Sequence, residues 1–311
     1  MTTPVDARLT LPAGGLVDTL DAQRRGVMLG VAALVVTVLI WAGFFLSLRA
    51  GARANLAPDE LALVRFGPAG LVFLPVLLRQ WRRIAAVPLR HLLGILAGSG
   101  LPYFLVAGLG MRHAPVSDGA TLIPGTLPLF VAAISVLLYG QAWASVKLRA
   151  LGLIAAGVVL MLLLNHGSGD IWQGYGLFLL GSLMWANFTV SLKQSGLSPW
   201  EGAAVISCGS LALLAVWLLL HPPVGLLALP VASLGFHVAV QGLGVGLLST
   251  LCYAFAIARL GAGRAAAAGA LTPVVASVLA LPLFGEVPTL ASLLGMGLIV
   301  AGVVLTHRLS R

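Results

Sequence analysis

Long apolar runs separated by short polar segments make up most of this sequence. Six stretches contain no Asp, Glu, Lys or Arg and have the length of a membrane span: residues 26–48, 92–111, 119–146, 171–192, 265–285 and 287–307. A helix that crosses a bilayer needs about 20 mostly apolar residues. Each of these stretches therefore predicts one transmembrane helix.

Two shorter apolar runs also predict spans. Residues 150–164 are apolar up to a polar segment that begins at Asn165, and residues 66–78 reach spanning length if Arg65 is tolerated near the start of the helix. We expect Arg65 to reach the membrane surface or to pair with another helix rather than to bind a substrate.

The run 202–258 contains no Asp, Glu, Lys or Arg and is long enough for two spans. His221-Pro222-Pro223 separates them, because proline cannot continue a helix. We therefore predict an all-α integral membrane protein of ten transmembrane helices, from about Gly26–Leu48 to about Thr289–His307.

Composition and charge agree with a bilayer and orient the chain in it. Only 9% of the residues are charged and 59% are apolar, whereas about a quarter of a soluble domain is charged. The net charge of +9 does not indicate a nucleic-acid partner, because the charges are too scattered to form a basic stripe. With a cytoplasmic N-terminus, fourteen Lys and Arg fall inside and four outside. The positive-inside rule then predicts cytoplasmic termini, and we expect a bacterial inner (plasma) membrane, with residues 1–25 as an uncleaved cytoplasmic tail.

The chain repeats itself at a spacing near 145 residues. Trp41-Ala-Gly-Phe-Phe-Leu-Ser-Leu-Arg49 returns 144 residues later as Trp185-Ala-Asn-Phe-Thr-Val-Ser-Leu-Lys193, and Leu153–Leu160 returns as Leu298–Leu305. Each copy contains five predicted spans, at residues 26–165 and 171–307. Since five is odd, the second copy must lie inverted in the bilayer, as in many secondary transporters.

The repeated segments carry motifs of a known family. They are Trp41-Ala-Gly-Phe44, Leu56-Ala-Pro-Asp-Glu-Leu-Ala-Leu-Val-Arg-Phe66, Ala270-Leu-Thr-Pro273 with Phe284-Gly-Glu286, and Leu294–Gly302. Over residues 26–306 the sequence resembles the EamA-type (RhaT-like) ten-span members of the drug/metabolite transporter superfamily. The resemblance implies transport of small metabolites, including amino acids and related compounds, often outward.

One departure from the family concerns a repeated glycine–acid pair. Gly285-Glu286 in the second half corresponds to Gly140-Gln141 in the first half. We interpret the pair as serving helix ends and contacts between the repeats, because a neutral amide replaces one carboxylate. Any mechanism that needs both carboxylates is therefore in doubt.

Aromatic residues at matching positions predict a central cavity lined by spans one, three, four, six, eight and nine. Trp41 and Trp185 lie deep in equivalent helices and could stack on a substrate, although helix packing is an equally good interpretation. Tyr103 and Tyr253 fall in the corresponding spans three and eight, in a different register, and could orient a polar ligand or bond across helices.

Polar residues within the spans complete the predicted substrate site. Thr121 in span four and Asn187 beside Trp185 are candidates, although buried amides usually bond a neighbouring helix. His237 and Gln241 are four residues apart and share a face of span eight. An ionisable side chain in a membrane defaults to a functional hypothesis, although His237 could instead be hydrated near a helix end.

Two prolines and one acid have more local interpretations. Pro128 and Pro273 are equivalent in the repeat and are expected to shape hinges or the cavity, because proline frees backbone carbonyls. Asp118 opens span four, where it could bind or relay a cation, although a helix-terminal role is favoured by the helix dipole.

We therefore predict a secondary transporter of small organic metabolites or xenobiotics that works by alternating access. We expect no catalytic residues, metal or cofactor; the partners are a small-molecule substrate and the lipid bilayer, with a coupling ion left open. A passive channel or facilitator and a membrane scaffold stay as alternatives. An intramembrane enzyme is disfavoured, since the His/Asp constellation His166-Gly-Ser-Gly-Asp170 reads as a turn.

Overall fold

The structure, a computed structural model, describes residues 13–140, 145–165 and 170–308. Those ranges contain α-helices and one π-helix, and no strand. The first half comprises α1 Ala13–Arg53, α2 Pro58–Ala85, α3 Leu89–Ser99, α4 Leu101–His113, α5 Val116–Gly125, α6 Leu127–Tyr139 and α7 Ser145–Leu164. The second comprises α8 Ile171–Ser195, α9 Pro199–Leu218, α10 Val224–Leu227, α11 Val231–His237, the π-helix Val238–Leu248, α12 Ser249–Leu260, α13 Ala262–Gly269, α14 Thr272–Phe284 and α15 Leu290–Arg308.

The predicted all-helical membrane protein is confirmed in its coarse form. Seven helical segments in the described ranges are long and apolar enough to cross a membrane: Arg24–Arg53, Pro58–Ala85, Leu89–His113, Val116–Leu138, Ile171–Ser195, Pro199–Leu218 and Val231–Leu260. Three shorter apolar helices follow the same pattern: Leu148–Leu164, Thr272–Phe284 and Leu290–Thr306. Large apolar side chains such as Leu71, Leu137 and Val231 are exposed on the outside of the bundle, where lipid would cover them.

Several predicted spans are interrupted in the middle of the helix. The third breaks at Gly100, the fourth at Thr126, and the ninth between Gly269 and Thr272. Pro128 and Pro273 each occupy the second position of the helix that follows a break, where a missing N–H group costs little. A hinge role for these two prolines stays a prediction.

The first helix is longer than predicted. It begins at Ala13, within the segment expected to be a polar tail, and continues to Arg53. Residues 1–12 of that tail lie outside the described residues, as do Gln141 and residues 166–169 of the His/Asp loop.

The two ends of the bundle are named here by one residue each. The Glu286 end contains the C-termini of α1, α4, α9 and α14 and the N-termini of α2, α5, α8 and α15; the Gly196 end contains the C-termini of α2, α6, α8 and α12 and the N-termini of α3, α7, α9 and α13. At the Gly196 end, the Ser198 hydroxyl accepts a hydrogen bond from Glu201 N, and the Glu201 carboxylate accepts one from Ser198 N. This capping box begins α9. The repeat-equivalent Glu60 accepts a hydrogen bond from Ala57 N at the start of α2.

Glycines allow antiparallel helices to pack closely. A Cβ atom added at Gly157 would lie 2.8 Å from the Gly295 carbonyl oxygen, and one at Gly302 would lie 2.8 Å from the Ala150 carbonyl oxygen. These contacts pair α7 with α15, with their backbones in close approach. Gly98 likewise meets Met184, so α3 packs against α8.

The remaining principal pairs join α1 to α12 and α2 to α9. Gly30 of α1 meets Leu260 at the end of α12. The largest hydrophobic cluster lies toward the Glu286 end and includes the fully buried side chains of Phe66, Phe104, Met111 and Phe178.

Candidate functional site

A central cavity of about 710 Å³ lies between the helices. Sites for small molecules are typically clefts of about 300–1,000 Å³, so this volume suits an organic metabolite. The lining comes from α1, α8, α12 and the broken spans, as expected, and also from α2, α9 and α15. The predicted set of lining helices was therefore incomplete.

Two tryptophan–tyrosine pairs form the aromatic wall of the cavity. The Trp41 and Tyr253 ring centroids lie 5.0 Å apart, and those of Trp185 and Tyr103 lie 6.2 Å apart. Each pair joins a tryptophan from one half of the chain to a tyrosine from the other half. Phe44 extends the second pair, since its ring stacks on Tyr103 at 6.4 Å with an interplanar angle of 6°.

Six of the residues predicted for the site line this cavity: Trp41, Tyr103, Thr121, Trp185, Tyr253 and Pro273. The Thr121 hydroxyl donates to the Ser117 carbonyl oxygen one turn earlier at 2.6 Å. Its hydrogen is thereby engaged within the helix, which leaves the oxygen and the methyl group to face a ligand. The binding roles of all six residues stay predictions.

Four other predicted residues lie outside the lining, because each packs at a helix contact or helix start. His237 Nδ1 lies 2.7 Å from the Ser47 hydroxyl, and Gln241 Nε2 donates to the Phe44 carbonyl oxygen at 3.2 Å. Both residues therefore attach span eight to α1. Asn187 faces Gly94 across the α3–α8 contact, and Pro128 begins α6.

Arg65 also lines the cavity, although the sequence predicted that it would reach the membrane surface or pair with another helix. Its guanidinium lies 5.9 Å from the Phe44 ring centroid and 5.4 Å from the Phe66 ring centroid. Its Nη1 atom is buried without a hydrogen-bond partner among the described residues. The structure therefore does not show the expected escape to the membrane surface; Arg65 instead contacts Phe44 of α1 inside the bundle.

The Glu286 end of the cavity is closed by a network around one carboxylate. Glu286 accepts hydrogen bonds from Arg49 Nε at 2.6 Å, Arg53 Nη2 at 2.9 Å and Val116 N at 2.9 Å. Arg49 also donates to the Met111 carbonyl oxygen. A carboxylate at the start of α5 is favoured by the helix dipole. Glu286 thereby ties α1 and α5 to the loop between α14 and α15.

A second polar network lies at the same end. The buried Asp118 accepts hydrogen bonds from the Tyr175 hydroxyl at 2.6 Å and from the Ser117 hydroxyl at 3.0 Å. Asn165 Nδ2 donates to the Tyr175 oxygen at 2.6 Å and to the Ser292 hydroxyl at 3.1 Å. Asp118 thus joins a chain of partners on α5, α8 and α15 and on Asn165, which follows α7, and this chain exceeds the local helix-terminal role expected of Asp118.

The cavity extends toward the Gly196 end. Leu192 in the last turn of α8, Pro199 at the start of α9 and Ile257 in the last turn of α12 all contribute to its lining. Among the described residues, no lining residue belongs to a first or last helical turn at the Glu286 end. The cavity therefore reaches toward the Gly196 end of the bundle and not toward the Glu286 end.

With this geometry in place, comparison with known sequences identifies the family. The sequence matches the EamA-like transporter family twice, over residues 28–163 and residues 172–308. The chain belongs to the EamA-like transporter family. This confirms the resemblance inferred from the repeated motifs. The two matches lie close to the predicted halves 26–165 and 171–307, whose division into two domains stays a prediction.

Relatives of this EamA-like protein carry transporter names. The inner membrane transporter YedA of Escherichia coli (strain K12) is 31% identical over 88% of this chain and 89% of its own. The transporter YdfC of Bacillus subtilis (strain 168) is 30% identical over 86% of this chain and 87% of its own. The EamA-like protein is therefore a membrane transporter and not an enzyme.

Two further likenesses are more distant. A protein of Streptantibioticus cattleyicolor named a probable terminal-alkyne amino-acid exporter is 26% identical over 89% of this chain and 92% of its own. A solved crystal structure shares the fold at 20% identity, with a TM-score of 0.59 over 93% of this chain and 98% of the other.

Proposed function

We propose that the protein is a secondary transporter that exports small organic metabolites by alternating access of two inverted five-helix halves. Its substrates would be amino acids, related compounds or xenobiotics. It would lie in a bacterial inner membrane with both termini in the cytoplasm. The relative YedA, named an inner membrane transporter, supports this location.

Helix pairing supports the inverted repeat. Rotation by a two-fold axis in the membrane plane would exchange the two halves. The antiparallel pairs α2–α9 and α7–α15 would then map onto themselves, and α1–α12 would map onto the contact of α8 with α3 and α4. The observed principal contacts thus form the set that such an axis requires.

The observation that carries the proposal is the arrangement of the two tryptophan–tyrosine pairs. Both line one cavity, and each is built from both halves of the chain. A movement of one half against the other must therefore change the walls of the site itself. That coupling between site and movement is what alternating access needs.

The asymmetry of the ends supports an inward-facing state. Under the predicted topology the Gly196 end faces the cytoplasm, and the cavity lining extends to that end. The Arg49–Glu286 contact would hold the outer end closed. A cytoplasmic substrate could then enter, as export requires.

Counterflow in proteoliposomes tests the transporter proposal. Vesicles loaded with an unlabelled compound should accumulate its labelled form transiently and with saturation if the protein is a carrier, whereas unsaturable leak would indicate a channel. A panel of amino acids and small carboxylic acids would serve, because an amino-acid exporter name occurs among the relatives.

Variants of the aromatic pairs test the site. Trp41→Ala and Trp185→Ala should each reduce counterflow at least tenfold while preserving insertion and the elution profile of the purified protein. Trp81→Ala is the matched control, because Trp81 is exposed on α2 and does not line the cavity. Wild-type kinetics in both cavity variants would refute the assignment of the site.

A further inference from the structure

Arg65 is a charged side chain that faces the cavity without a counter-ion. It lines the cavity, its Nη1 atom is buried without a hydrogen-bond partner, and none of the salt bridges among the described residues includes it. Burying a cation within a membrane protein is costly, so such residues usually pair or serve a function. An anionic ligand would supply the missing partner.

The surroundings of Arg65 exclude an obvious protein partner. Among the described lining residues, none is Asp or Glu. The buried acid Asp118 lies outside the lining and already accepts two hydrogen bonds. Glu286 is bound to Arg49 and Arg53 at the closed end. Both of these acids are therefore engaged elsewhere.

Aromatic rings hold the Arg65 guanidinium beside the proposed substrate site. Phe44 contacts it through a cation–π arrangement and also stacks on Tyr103, which in turn contacts Trp185. The charge thus lies at one end of a continuous aromatic surface. A ligand with a negative group at one end and an apolar body could contact both features at once.

We propose that Arg65 forms an anion subsite and that the preferred substrates are organic monocarboxylates with an apolar or aromatic body. This rests on the proposed transport function. A guanidinium binds a carboxylate through two parallel hydrogen bonds, and the aromatic pairs pack against the apolar body. Because no acid lines the described cavity, a substrate ammonium group finds no counter-ion. Monocarboxylates without an amine should therefore bind more tightly than the corresponding amino acids.

Four probes of similar shape separate these contributions. They are 3-phenylpropionate, L-phenylalanine, 3-phenylpropanol and phenethylamine, measured by quenching of tryptophan fluorescence in the purified full-length protein. We expect the wild-type protein to bind 3-phenylpropionate most tightly, L-phenylalanine next, and the neutral and cationic probes most weakly. Equal affinity for 3-phenylpropionate and 3-phenylpropanol, or no binding of the carboxylate, would overturn the anion subsite.

Substitution of Arg65 tests whether the residue acts on the charge of the ligand. Arg65→Gln should weaken 3-phenylpropionate binding at least about tenfold and leave 3-phenylpropanol binding unchanged; Arg65→Lys should retain part of the preference. Arg79→Gln is the control, because Arg79 carries the same charge on the same helix and is exposed. A uniform loss for all four probes would indicate a structural role and overturn the proposal.

Counterflow separates this proposal from the transport function on which it rests. Saturable counterflow of any probe by the wild-type protein supports a carrier, whether or not the probe is a carboxylate. If such counterflow persists and Arg65→Gln leaves selectivity among the four probes unchanged, the anion subsite fails and the carrier stands. If the carboxylate binds through Arg65 and no probe shows counterflow, the subsite stands and the carrier proposal fails.

Discussion

Replacement of Glu286 by glutamine should raise the equilibrium constant for opening of the closed end of the cavity. The glutamate holds Arg49 and Arg53 of α1 and the backbone N–H of Val116 at the start of α5. Glutamine has nearly the same shape but no charge. It therefore removes the electrostatic part of this closure with little change in packing.

The magnitude follows from the exposure of the two ion pairs. The side chains of Arg49 and Glu286 are 17% and 11% exposed, and a hydrogen bond to a charged group at such a site contributes about 1.5–3 kcal/mol. Arg53 is 44% exposed, so its pair adds only about 0–1 kcal/mol. A loss of about 2–3 kcal/mol raises the equilibrium constant for opening about 30- to 150-fold.

Cysteine accessibility measures this opening. Ser99 lines the cavity, and Ser99→Cys in a background where Cys208 and Cys252 are replaced by alanine supplies a single reporter thiol. A membrane-impermeant thiol reagent added outside intact cells should label the reporter faster in the Glu286→Gln variant. The same reagent applied to inside-out vesicles should label it more slowly.

Asp59→Asn is the matched control. Asp59 lies at the same end and accepts a hydrogen bond from Trp217 Nε1 at 2.8 Å, which joins α2 to α9. Removing this acid changes the charge equally but leaves the Glu286 network intact. Equal outside labelling of wild-type and Glu286→Gln proteins would refute the closing role of Glu286.

Three further substitutions test packing and the second polar network. Gly98→Ala should lower the thermal stability of the purified protein by several degrees, since its methyl group would overlap the α8 backbone. Gly176→Ala is its control and should stabilise the protein by up to about 1 kcal/mol, because nothing lies near the added atom and alanine favours a helix. Tyr175→Phe removes a donor to Asp118 and an acceptor for Asn165. It should lower the free energy of unfolding by about 1–3 kcal/mol. Unchanged melting temperatures in Gly98→Ala and Tyr175→Phe would contradict both explanations.

Apolar periodicity and repeated motifs were sufficient to predict the membrane class, the family and six lining residues. These features depend on local composition or on equivalent positions in two copies. Trp41 and Trp185 are an example, because their equivalence was visible as a fixed spacing of 144 residues. Their contact partners in the other half of the chain were not visible in that spacing.

The sequence could not show which polar side chains face the cavity. His237 and Gln241 share a helical face, as predicted, but that face packs on α1, where His237 contacts the Ser47 hydroxyl and Gln241 Nε2 donates to the Phe44 carbonyl oxygen. Arg65 looked like a residue near a helix end that could reach water. Its position between two phenylalanine rings depends on packing between α1 and α2, and no local signal reports such packing.

Under the proposed alternating access, the two aromatic pairs would line the substrate site from whichever side of the membrane it is open. Under the proposed two-fold relation, switching access exchanges the roles of the halves, so the Trp41–Tyr253 pair adopts the geometry now seen for Trp185–Tyr103. The two ring separations differ by little more than 1 Å, at 5.0 Å and 6.2 Å. The walls around a substrate would therefore change far less than the ends of the bundle. A carrier built in this way should bind its substrate with similar intrinsic affinity from either side of the membrane, so the direction of net flux would follow the substrate gradient and any coupled ion.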